Sequence, residues 1–265
     1  MGLLKSSRLG IRACLLLAGV LLALSACVPP TPPPVSEPFD AARLLRKLEA
    51  ANSAFHSLSG EAKVHLENQE RSFSARQVLF VREPADFRSE TLNPFGQPVL
   101  SLASDGSELS IMVPGEGHFY RGPATPANLE RFTRLPLALP ELVEILLYRV
   151  PVFEFANSEA GLGEDGRPYL RLLSSDNRVQ EFRFDTALNP TAASYEADGK
   201  MVLKITFGDF SGSSPVFPQQ VDIEVPSSGT RVSINYSDLR LNEAIPDERF
   251  VLAPRPGMDV LPLPQ

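Results

Sequence analysis

Two cysteines, three histidines and a scatter of carboxylates are the residues of this chain that could carry chemistry. His56, His65 and His118 show neither H-E-x-x-H nor any paired-ligand spacing, so no metal site is expected. No G-x-S-x-G elbow presents a serine nucleophile. Gly161-Leu162-Gly163-Glu164-Asp165-Gly166 matches G-x-G-x-x-G letter for letter. That fingerprint needs a helix to follow, whose N-terminal amides meet a pyrophosphate. Here Arg167-Pro168 and the β-like YLRLL follow, so the segment reads as a hairpin loop. Asp185, Asp209, Asp222 and Glu224 alternate with apolar residues or flank turns, the pattern of a solvated sheet face. No catalytic residue, cofactor or metal is expected, and the enzyme reading has no positive support.

Cys27 remains. It closes a leader with Lys5, Arg8 and Arg12 at its front and the apolar run Leu15 to Leu24 behind them. Charged, then apolar, then small is the layout of a secretory signal. The run falls short of the ~20 residues that cross a bilayer as a helix. Leu24-Ser25-Ala26-Cys27 resembles the bacterial lipobox. That resemblance implies cleavage before Cys27, acylation of its thiol and of the new N-terminus, and anchoring without a span; two chains anchor stably where one does not. Cys14 leaves with the leader, so no disulfide or cysteine metal site is expected in the mature chain. Losing three cations takes the formal charge from −7 to −10. So acidic a surface argues against nucleic acid as a partner. The residue after Cys27 is Val28 rather than the Asp that marks inner-membrane retention in enteric bacteria, which by resemblance favours the outer membrane, facing the periplasm. Residues 28–38, VPPTPPPVSEP, read as a polyproline II stalk rising about 3.1 Å per residue. The expected organisation is a signal peptide over 1–26, an acylated cysteine and stalk over 27–39, and one folded domain over 40–265.

The folded part opens with a helix. Asp40 can cap residues 41–55, in which Leu44, Leu45, Leu48, Ala51 and Phe55 form one apolar stripe. The period then changes to two, first at Ala62, Val64 and Leu66, and repeatedly to Val232, Ile234 and Tyr236. Asp105-Gly106, Asp176-Asn177, Asp198-Gly199 and Ser228-Gly229 punctuate the runs as turns. No strand–helix–strand rhythm appears, so an antiparallel meander is expected. Two short helices interrupt it, over 126–132 and 140–148, the second with Pro140 in its tolerated first turn. The expected fold is mainly β with α.

Residues 92–114, LNPFGQPVLSLASDGSELSIMVP, place an N-P-[apolar]-G loop, a strand, an Asp-Gly turn and a second strand in order. Together with FHSLSGEAKV after the first helix and Phe250-Val251-Leu252-Ala253-Pro254-Arg255-Pro256-Gly257 near the end, they resemble the LolA/LolB-like lipoprotein-sorting superfamily. The resemblance implies an open, strongly curved antiparallel sheet, a half-barrel wrapped over two or three helices, with an apolar cavity that holds acyl chains of lipoproteins or lipids. It implies non-enzymatic insertion or localisation of lipoproteins at the outer membrane, with a periplasmic LolA-like carrier as a possible partner. It assigns the loop Pro94-Phe95-Gly96 to membrane insertion. Strand alternation offers Phe73, Leu79, Phe182, Phe184, Ile205, Phe207, Val232 and Ile234 for the cavity face. One departure stands out: the family's strand-end Lys-Arg-Pro, whose arginine serves the lid, is matched by Arg82-Glu83-Pro84. The alternative expectation is a non-enzymatic envelope sensor or structural lipoprotein on the same fold.

Overall fold

A computed structural model describes residues 40–264; Cys27, the expected leader and the expected proline stalk lie outside the described residues. The first element, α1 (Ala41–Asn52), is capped by the Asp40 carboxylate, which accepts from the Ala42 amide at 3.0 Å. It stops three residues short of Phe55. The Asn52 side chain binds Val150 through both its amide atoms, each at 2.8 Å. Phe55 leaves the helix to pack edge-on against Phe217, ring centroids 5.0 Å apart.

The strands that follow are β1 (Ser57–Glu67), β2 (Ser72–Arg82), β3 (Asp86–Leu92), β4 (Pro98–Asp105), β5 (Glu108–Val113) and β6 (His118–Pro123). Helices α2 (Pro126–Thr133) and α3 (Leu139–Leu146) come next. Then come β7 (Asn157–Leu162), β8 (Pro168–Leu173), β9 (Val179–Phe184), β10 (Pro190–Ala197) and β11 (Lys200–Ser211). β12 (Phe217–Val225), β13 (Thr230–Leu241) and β14 (Asp259–Pro262) complete the set. The glycine-rich stretch at 161–166 closes the β7–β8 hairpin. Asp198 and Gly199 both take positive φ, 51° and 70°, as a two-residue hairpin between twisted strands requires.

All fourteen strands join one sheet, in the order β14-β6-β5-β4-β3-β2-β1-β13-β12-β11-β10-β9-β8-β7. Two features differ from expectation. The sheet is mixed, because β14 runs parallel to β6 while every other pairing is antiparallel. It is also open, with β14 and β7 at its edges, and is neither closed nor strongly curled into a half-barrel. The reason lies in what covers it. The helices are spread along the sheet: α1 lies against β7, β8 and β10, and α3 against β2 and β3. One long apolar face is thereby covered in stretches, without wrapping around a single bundle.

Period-two alternation builds that face. β8 and β9 bury every second residue, and the cross-strand pairs Leu170–Phe182, Phe182–Ala193, Ala193–Ile205, Ile205–Ile223 and Ile223–Val232 make one apolar row across six strands. Three tyrosine hydroxyls pin the segment after α3 to the sheet: Tyr236 to the Leu146 carbonyl at 3.2 Å, Tyr148 to Pro190 at 2.8 Å and Tyr195 to Pro151 at 3.1 Å. Burial raises the pKa of all three phenols above the ordinary tyrosine value. On the outer face, Leu252 covers a small second cluster of Ala103, Met112 and Phe119.

Candidate functional site

The covered face is not filled evenly. Between the inner side of β13, β1, β2, β3 and β4 and the α2–α3 segment lies a cleft of about 240 Å³. Register explains its floor. Val232 pairs with Leu66 and Leu66 with Phe73; Ile234 pairs with Val64; Leu79 pairs with Ser89 and Ser89 with Leu102. Phe132 and Leu135 from the end of α2, with Leu142 and Leu146 from α3, form the roof. α3 starts as its sequence dictates, with the Glu141 carboxylate turning back to accept from the Ala138 amide at 2.7 Å. Among the described residues, no charged side chain lines the cleft.

Of the eight residues offered for the cavity face, Phe73, Leu79, Val232 and Ile234 line this cleft. Phe182, Phe184 and Ile205 do not: they are fully buried in the packed part of the core, at the β9–β11 end. Phe207 packs edge-on against Tyr148, ring centroids 4.9 Å apart. It also borders a larger depression of about 640 Å³. That depression is unsuited to lipid, since Asp165, Arg167, Glu181, Arg183 and Lys204 line it. Alternation alone could not separate the two groups, because core and cleft residues share one row of the same face. The strands β3 and β4 contribute Phe87, Ser89, Thr91, Leu100 and Leu102, which sequence reasoning did not select. The segment DFRSETL carries polar residues at both parities and so hides its inner side.

One end of the cleft is open. Phe73 there is 52 % exposed, and Val99, also on the lining, is 43 % exposed. Four residues before Val99 stands Phe95, at 89 % exposure. Its loop is tightly built. The Gly96 amide donates to the Asn93 carbonyl at 2.9 Å, and the Asn93 side-chain oxygen accepts from the Phe95 and Gln97 amides at 2.9 and 3.0 Å. Pro94 presets the turn, and Gly96 takes φ 80°, a left-handed conformation that costs glycine nothing. The ring is therefore held out by ordered backbone.

Glu83, where the resemblance would place a lid arginine, pairs with Arg149 just beyond α3. Arg82 does not substitute for that arginine. Its guanidinium is held by Asp86, Asp247 and the Ile245 carbonyl, and lies 4.8 Å over the Phe250 ring. Burial raises the pKa of the nearby Glu144 carboxyl, against the opposing effect of the Arg149 charge.

The fold, a broad open β-sheet with helices on one face, has counterparts among solved structures. A LolA superfamily protein from Nitrosomonas europaea is similar over 80 % of this chain and 97 % of its own, with a TM-score of 0.52 and 15 % identity. A domain described as an outer membrane lipoprotein-sorting protein from Vibrio parahaemolyticus matches over 80 % and 97 %, with a TM-score of 0.53 and 15 % identity. A DUF1329 family protein from Desulfovibrio piger matches over 80 % and 95 %, with a TM-score of 0.54 and 15 % identity. No family model matches the chain, and no curated protein matches it. The chain thus shares the fold of LolA superfamily and lipoprotein-sorting domains, at low sequence identity.

Proposed function

We propose that this protein is an envelope lipoprotein, anchored through acyl chains on Cys27, that shelters acyl chains of lipoproteins or lipids in the cleft beneath its sheet and helps deliver them to the outer membrane. The observation that carries this reading is the cleft itself. Native interiors leave few voids larger than a water molecule, yet here about 240 Å³ of apolar-lined space opens to solvent beside exposed Phe73. Lipid tails ask for no hydrogen-bond partner, so an apolar cleft without charge suits them. Its volume is under the roughly 300–1,000 Å³ of drug-sized sites, which favours one narrow chain over a bulky ring system. Pro94, Phe95 and Gly96 form the loop that enters the membrane during delivery. A LolA-like periplasmic carrier is the partner that would hand the chains over. Nothing in this work is covalent: the cleft exchanges one apolar surrounding for another.

The test is mass spectrometry of organic extracts from the purified full chain carrying Cys27→Ala, so that no anchor of its own contributes. The expected result is co-purified acyl lipid in near-stoichiometric amount. A chain that carries none, and takes up none from added vesicles, would favour an envelope sensor or structural lipoprotein.

A further inference from the structure

The floor of the cleft holds three neutral polar side chains amid apolar ones. Gln77, Ser89 and Thr91 sit side by side on β2 and β3, where Gln77 pairs with Thr91 and Leu79 with Ser89. The Ser89 hydroxyl donates to Gln77 Oε1 at 3.1 Å, and Gln77 Nε2 donates to Thr91 Oγ1 at 3.2 Å. Ser89 and Thr91 are buried. An apolar residue at each position would pack better, since burying a hydroxyl or amide is costly unless every capacity is used. Here two are not. A primary amide carries two donors and a hydroxyl one. The second Nε2 hydrogen of Gln77 and the Thr91 hydroxyl hydrogen find no acceptor among the described side chains. The trio therefore has donors to spare on the wall of a cleft whose lining, among the described residues, carries no charge.

That balance selects a ligand atom. A carboxylate or phosphate would be buried without a counter-charge, at high cost. An alkyl chain alone would leave the donors unused. A neutral carbonyl oxygen has two lone pairs and no charge, and accepts both donors. We propose that Gln77 and Thr91, held in place by Ser89, form a polar subsite that takes the ester or amide carbonyl oxygen of the bound acyl chain, fixing how deep the chain enters. This rests on the reading that the cleft holds acyl chains. The carbonyl is common to the diacylglyceryl group of a lipoprotein and to a phospholipid.

The probes are methyl oleate and cis-9-octadecene, matched in chain, the second without any acceptor. Each competes with a fluorescent fatty-chain reporter for the full chain carrying Cys27→Ala. The subsite predicts that the ester, relative to its partition into alkane, binds about fivefold tighter than the alkene, as one to two net hydrogen bonds allow. In the triple variant Gln77→Leu, Ser89→Ala, Thr91→Val that ratio falls to about one while the alkene binds as before. Replacing all three together leaves no partner orphaned, so the variant keeps its fold, and Thr91→Val alone, expected to halve the preference, serves as a second variant. A parent that binds both probes equally on that scale, or a variant that keeps the preference, overturns the subsite and leaves the cleft reading standing. A parent that binds neither probe overturns both. Two further arms separate the sources: a diacylglyceryl-cysteinyl lipopeptide, and vesicles of dioleoyl phosphatidylcholine. Weaker uptake of either one by the triple variant supports the subsite and names its source. Unchanged uptake of both overturns it.

Discussion

At the residue scale, Phe95 carries the sharpest consequence. Its ring is 89 % exposed on a loop whose backbone is fully tied, so its exposure is built in by Asn93, Pro94 and Gly96. An aromatic ring buries roughly 150–250 Å² when it enters an apolar phase; in water that gain is forgone. Phe95→Glu removes nothing from the core, so the melting temperature should stay within a degree or two of the parent's, in line with surface substitutions within about ±0.5 kcal/mol. Transfer of acyl lipid to liposomes should fall at least tenfold, while binding of the chain in the cleft persists. Measured transfer at the parent's rate would remove Phe95 from the delivery step. The sequence made this residue visible because proline and glycine flank it. It did not make Gln77, Ser89 and Thr91 visible, since hydroxyls and amides look alike on either side of a strand until register is known.

At the element scale, the segment after α3 is held at several points. Tyr236, Tyr148 and Tyr195 each donate a hydroxyl to a backbone carbonyl, two of them to residues 146 and 151 on either side of Tyr148. The Arg149–Glu83 pair ties the same segment to the end of β2. Burial has raised all three phenol pKa values above the unfolded value of about 10. The stability these phenols contribute is therefore fully present below about pH 10, where both states keep their protons. It declines as pH rises from there through the folded-state values, because the unfolded chain ionises first. Urea midpoints followed from pH 8 to pH 11 should drop more steeply for the parent than for Tyr236→Phe; equal slopes would mean that Tyr236 is not held as described. The helices and turns themselves were legible: Asp40, Pro140 and the Asp198-Gly199 turn act as their chemistry dictates. The end of α1 was not. Phe55 fits the helical stripe, but packing on Phe217 and the Asn52–Val150 bridge outweigh one more helical turn.

At the scale of the whole molecule, the sheet is less curled than the resemblance implied, and α1 and α3 cover different stretches of it. Phe182, Phe184 and Ile205 are fully buried on β9 and β11, and the β13–β4 end keeps a cleft. That division was beyond sequence reading, because the same alternation of apolar residues serves a filled core and a lined cavity alike. Only the placement of α2 and α3 decides which rows stay uncovered. The proposed anchor at Cys27, ahead of the proline-rich sequence 28–38, has its own test. Metabolic labelling with a fatty-acid analogue should mark the parent and leave Cys27→Ala unmarked. Equal labelling of the two would remove the anchor from the account.

The central claim is that an acyl chain lies in the cleft between β13–β4 and the α2–α3 segment, and photo-crosslinking tests it most directly. A fatty acid carrying a terminal diazirine is bound to the full chain with Cys27→Ala and irradiated, and the modified residues are mapped by mass spectrometry of peptides. The account predicts label on Leu79, Leu102, Leu142, Val232 or Ile234, and its loss in a variant that fills the cleft, such as Leu102→Trp. Label confined to the 640 Å³ depression around Arg183 and Lys204, or spread over the surface and indifferent to Leu102→Trp, would contradict it.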